Sequence, residues 1–146
     1  MKIYKLITLV AISALFFTAC EKDADQWLKD NTTVIGKLPV IASFKITPTQ
    51  ANNNVTAGQS IKLDLRYWSD DPIDKIELKS TVGSGTSETV STTPYQSAFS
   101  KVSQTDSLLL NYTVPNVPVG TAVKMQVIVT NKNTLSKSTD LTLTVK

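Results

Sequence analysis

Histidine is absent from this sequence, cysteine occurs once, glycine five times, and aromatic residues make up only 7% of the chain. Without histidine there is no imidazole general base and no histidine-ligated metal centre. A single cysteine excludes an internal disulfide and a thiolate zinc cluster. The glycines at 83 and 85 are not followed by a lysine and a helix, so no phosphate-cradling loop is present. Carboxylate, hydroxyl, lysine or tyrosine chemistry is all that remains. No long hydrophobic run occurs either. The longest, residues 6–19, falls short of the about 20 apolar residues that a bilayer of roughly 30 Å requires. The 146 residues suit one domain.

What is there begins at the N-terminus. Lys2 and Lys5 precede the short apolar run, which ends at Thr18-Ala19-Cys20. A basic start, a short apolar core and a small residue before the cut describe a secretory signal peptide over residues 1–19. Removing it leaves 13 of the 15 basic residues against 12 acids, a net charge of +1. The basic balance therefore belongs mostly to the precursor, and no nucleic-acid patch survives. Residues 20–39 read as a charged tether, with Asn31-Thr32-Thr33, Gly36 and Pro39 and no sustained period. Fully extended, such a tether reaches about 60 Å at roughly 3.3 Å per residue. Trp27 stands out in it, as a contact to membrane headgroups, to the domain, or to a partner protein.

From Val40 the hydrophobic period becomes two. Ala42, Phe44 and Ile46 alternate with polar residues, as do Ile61, Leu63, Leu65 and Tyr67. So do Ile76 and Leu78, then Leu108, Leu110, Tyr112 and Val114, then Val123, Met125, Val127 and Val129, and last Leu141, Leu143 and Val145. Leu109 is out of step. Such alternation marks strands with one buried and one wet face. A further strand within residues 89–99 is confined to an edge or a break by Pro94. Turn signals separate the runs, among them Ser69-Asp70-Asp71-Pro72 and Asn131-Lys132-Asn133. The expectation for residues 40–146 is an all-β, immunoglobulin-like antiparallel two-sheet sandwich of about seven strands.

Few side chains suggest a site. Asp70, Asp71 and Asp74 cluster in one turn, whereas catalytic carboxylate pairs come from elements facing each other across a cleft. They read as a solvated Asp-Pro turn, with a weak calcium site as the alternative. Trp68 follows the inward-facing Tyr67 and so points outward or into the loop. With Tyr95 it is the candidate for contact with a ligand or partner, by stacking on a sugar ring or anchoring a protein.

Two local motifs carry resemblances. Phe17-Thr18-Ala19-Cys20 resembles a bacterial lipobox, which implies a mature chain beginning at a diacylated and N-acylated Cys20. Two or more acyl chains anchor stably where one does not. The following Glu21-Lys22-Asp23-Ala24-Asp25 resembles the address of Bacteroidetes surface lipoproteins, implying an outer-membrane location facing the exterior. Asp106-Ser107-Leu108 resembles their O-glycosylation acceptor, with Ser107 as the modified residue on an outward strand face.

Residues 41–48, 57–63, 74–78 and 112–115 with Gly120 together resemble the single immunoglobulin-like modules of such lipoproteins. Small lipoproteins of this kind resemble accessory components of starch-utilisation-like importers. The resemblance implies a non-catalytic accessory subunit of a TonB-dependent glycan or peptide import complex. Its partners would be the membrane, an outer-membrane barrel and a substrate-binding lipoprotein, with neither cofactor nor nucleic acid. The alternatives are a glycan-binding module using Trp68 and Tyr95 on polysaccharide, and an adhesin or structural protein pairing through the edge of the last strand, residues 138–146.

Overall fold

Alternating β-branched, leucine and polar residues favour extended chain, because every second side chain then reaches the same face. The structure, a computed structural model, describes residues 24–33 and 35–146. The expected signal peptide, Cys20 and most of the acidic run lie outside the described residues. Nine strands form among them: β1 Val40–Thr47, β2 Asn54–Val55, β3 Ser60–Trp68, β4 Ile73–Val82, β5 Ser87–Pro94, β6 Phe99–Ser100, β7 Thr105–Thr113, β8 Ala122–Asn131 and β9 Ser136–Val145. The chain is all-β in two sheets, ordered β1-β3-β7-β6 and β2-β9-β8-β4-β5. The strands beyond the expected seven are β2 and β6. Each is two residues long, too short to show a period.

The inward sets meet in one core. Leu63 and Leu65 of β3, Met125 and Val127 of β8 and Leu143 of β9 are fully buried. The two sheets face one another across it, since Ser80 of β4 and Tyr112 of β7 share a buried hydroxyl hydrogen bond of 2.8 Å. Burying each such aliphatic side chain contributes about 1.5–3 kcal/mol. At β1 the alternation misleads. The register shifts between Ile41 and Ser43, so Ala42 is the extra residue of a bulge and is exposed, while Ile41 packs on the core. As expected, β5 lies at a sheet edge and ends at Pro94. The last strand is covered only at its end, where β2 pairs parallel beside β9 at Thr144 and Val145 and Asn53 Nδ2 donates to the Thr142 carbonyl.

The segment read as tether carries a helix, α1, Ala24–Asn31. Trp27 and Leu28 are exposed on it. Among the described residues no helix is long and apolar enough to cross a membrane. Gly36–Lys146 is a compact unit by itself, four residues longer at its start than the expected boundary at Val40.

The Asp70-Asp71 turn explains that early start. Asp71 Oδ2 accepts from the Lys37 backbone N–H and, at 2.8 Å, from Asn133 Nδ2. Lys37 Nζ pairs with Asp70 at 2.7 Å, and this hydrogen bond and charge hold the ammonium above its usual range. Asn131 Nδ2 donates to the Lys37 carbonyl at 3.0 Å. These carboxylates receive the entering chain. No group of three or more metal-ligating side chains is assembled among the described residues, which leaves the calcium alternative at Asp70, Asp71 and Asp74 without a donor set. Gly36 makes the docking possible. Its φ is +107°, and a Cβ there would lie 2.2 Å from Asn133 Nδ2. Gly36→Ala is expected to cost about 1–3 kcal/mol in urea unfolding, from backbone strain and that overlap. An unchanged midpoint would mean that this segment does not dock.

Candidate functional site

The four-stranded sheet is open at one end, where β3 stops and β6 and β7 begin. Asp106 stands at the centre of that end. In register it lies opposite Tyr67 on β3 and opposite Phe99 on β6. Its parity matches Leu108, Leu110 and Tyr112, so its carboxylate turns inward, and the residue is 5% exposed. Oδ1 accepts from the Ala98 N–H at 2.7 Å, and Oδ2 accepts from Tyr95 Oη at 3.2 Å. Among the described residues no lysine or arginine pairs with it.

Asp106 opens on a cleft of about 480 Å³ lined also by Trp68, Ser69, Asp70, Phe99 and Gln104. That volume lies within the range of small-molecule sites, about 300–1,000 Å³. Trp68 is 37% exposed and Phe99 50%. Two aromatic side chains and two carboxylates therefore share one cleft. Asp70 already carries Lys37 as its counterion, whereas Asp106 does not. The surroundings are built to hold this shape. Asn131 Nδ2 donates to Ser69 Oγ at 2.8 Å, fixing the loop after Trp68. Gln104 Nε2 donates to the Lys101 carbonyl at 2.6 Å, closing the turn before β7.

Behind the cleft, Tyr67 and Tyr95 stack edge to face, with centroids 6.5 Å apart and planes at 79°. Burial, then the Asp106 carboxylate, then Tyr95 push the Tyr67 hydroxyl up to about 12. An ultraviolet titration should show one tyrosine ionising near pH 12, and Tyr67→Phe should remove that step. The folded value lies above the ordinary 10.0, so its contribution to stability is complete below pH 10 and is lost as pH rises towards 12. A titration with no tyrosine step near pH 12 would show that Tyr67 is not buried beside a negative charge.

Of the residues singled out in the sequence, Trp68 and Asp70 line the cleft, and Tyr95 supports it through Asp106. Trp27 belongs to α1, in the segment before the compact unit. Ser107 faces outward opposite Arg66, half-buried. Phe99, Gln104 and Asp106 were missed. Only Asp106 had a signal, an acid at the inward parity of its strand.

No family model matches the chain, and no curated protein matches it. Among solved structures, its fold is similar to that of a superoxide reductase (neelaredoxin) from Ignicoccus hospitalis. The TM-score is 0.51 at 10% identity, covering 82% of this chain and 86% of that one. This likeness corrects the expectation that the chain is not an enzyme. That exclusion rested on the family resemblance and on carboxylates clustered in one turn rather than facing across a cleft, and a chain of similar fold is an enzyme. The reading as a non-catalytic importer subunit, with its glycan-binding and adhesin alternatives, falls with it. Nothing in the comparisons supports a lipoprotein, an outer-membrane location or glycan utilisation. The likeness concerns the fold alone. At 10% identity the neighbour's activity is not carried over to this chain.

Proposed function

We propose that this domain binds an organic cation in the cleft at the end of the four-stranded sheet. One observation carries the proposal: a buried carboxylate, Asp106, lacks a basic partner among the described residues and opens between Trp68 and Phe99. Burying a carboxylate without a counterion is costly, and a guest cation would relieve that cost. An aromatic face adds about 0.5–2 kcal/mol for an ammonium or guanidinium set against it.

The test is calorimetric titration of residues 21–146 with choline, with its uncharged tert-butyl isostere, and with agmatine. Both cations should bind at least tenfold more tightly than the isostere. Asp106→Asn should abolish that preference, and Trp68→Ala should weaken both cations. Equal affinity for choline and its isostere would refute the reading.

Two further assignments belong to this proposal. The two sheets around one core, antiparallel except where the short β2 pairs parallel with β9, support an immunoglobulin-like sandwich. Location is proposed from the lipobox resemblance: an acylated Cys20 would hold the domain at the outer membrane, facing outward. Intact-mass measurement of the mature protein, with and without Cys20→Ser, tests the acyl chains.

A further inference from the structure

Sheet edges expose unpaired backbone donors and acceptors, and proteins usually blunt them with charge, proline or bulges. Three of the edges here are blunted. The bulge at Ala42 and the charge of Lys45 interrupt β1. On β5, Val90 is the extra residue of a second bulge, between Glu88 and Pro94. The outer side of β9 carries Lys137 and Asp140, and β2 covers its end. The outer side of β7 has none of these devices. β6 covers it only at Thr105 and Asp106. From Ser107 to Thr113 the strand reads Ser-Leu-Leu-Leu-Asn-Tyr-Thr, without charge, proline, glycine or bulge.

The direction of the free groups follows from the ladder. Val114 exchanges hydrogen bonds with the β3 side, donating to the Gln59 carbonyl and accepting from the Gly58 N–H. Residues of its parity therefore turn their backbone groups to β3. Ser107, Leu109, Asn111 and Thr113 turn theirs to the open side. Leu109, the residue out of step in the sequence, is 55% exposed on this strand. A groove of about 390 Å³ lies alongside, between Tyr112 and Thr113 of β7 and Val82 and Val90 of the other sheet.

We infer that this edge pairs with the same edge of a second copy of the chain, antiparallel about a two-fold axis at Asn111. An antiparallel ladder is self-complementary under such an axis. The edge carries no charge, so two copies meet without like-charge repulsion. Centring on Asn111 sets the exposed Leu109 against the second copy's exposed Thr113, a cross-strand pair of the kind that stabilises sheets. It also keeps the incoming strand clear of β6. The interface is small, so the dimer should be weak, with a Kd of roughly 10–500 μM. This site is separate from the cation cleft and does not depend on that reading.

Sedimentation equilibrium of residues 21–146 at about 5 μM to 1 mM tests it, since a dimer in that Kd range populates across those concentrations. The expected result is a monomer–dimer equilibrium that Leu109→Lys shifts at least tenfold towards monomer, while Val40→Lys on β1, at the far edge of the same sheet, leaves it unchanged. Circular dichroism should show both variants folded, because both positions are exposed. A monomer throughout the range, or a dimer untouched by Leu109→Lys, would overturn the inference. The first result would leave a strand from another protein, and the second another surface, as the partner site.

Discussion

Tyr67→Ala is expected to destabilise the domain by about 3–5 kcal/mol, the range for deleting a buried aromatic side chain. Tyr67 is 1% exposed at the last inward position of β3. Its ring fills the space beneath the cleft and meets Tyr95 edge to face. Aromatic pairs of that geometry add about 0.5–1.5 kcal/mol beyond burial. Backbone ladders on both sides hold the position in place, so the neighbours cannot collapse into the hole. For a domain of this size the melting temperature should fall by roughly 15–30 °C. Urea and thermal unfolding, followed by circular dichroism, will measure it. A loss under about 1 kcal/mol would mean that the end of the core is loosely packed, against the packing densities of protein interiors.

Asp106→Ala is expected to cost about 2–4 kcal/mol and to abolish cation binding. The change leaves two donors, the Ala98 N–H and Tyr95 Oη, without their acceptor, and each unsatisfied buried donor costs about 1–3 kcal/mol. Part of the loss is returned because a carboxylate no longer has to be buried. Asp106→Asn separates the two effects. It retains one oxygen acceptor and the side-chain volume while removing the charge. Its stability should lie within about 1 kcal/mol of the native domain, since only one of two hydrogen bonds must rearrange. Its affinity for choline should fall to that of the neutral isostere. An alanine variant as stable as the native domain would show that Asp106 does not order the chain between Tyr95 and β7.

Much of the fold could be read along the chain, because a strand's buried face is a local property. The odd positions of β3 and β8 carry Ile61 through Tyr67 and Val123 through Val129, and these side chains form the core. Pro94 confines β5 to an edge for an equally local reason, the missing N–H. Less of the site could be read. Trp68 and Asp70 were visible as an outward indole and a turn acid, and Tyr95 as a spare aromatic. Asp106 occupied an inward parity, yet its neighbour Ser107 drew it into a modification motif instead. Phe99 and Gln104 left no pattern at all. The two-residue β6 exists only because β7 offers Thr105 and Asp106 to pair with.

By itself the sequence determined the class of this protein: an all-β chain without imidazole or disulfide chemistry, its strands in nearly the right places. These depend on residue type and on neighbours two positions away. The tertiary structure alone decided which strands lie side by side, where the bulges at Ala42 and Val90 fall, and that Asp106 faces Trp68 and Phe99 across a cleft. It also decided that β7, and not the last strand, has the unprotected edge. Each of these depends on pairing between residues distant in the chain. Hydrogen bonds that close a sheet follow the register of two strands together, which neither strand encodes alone.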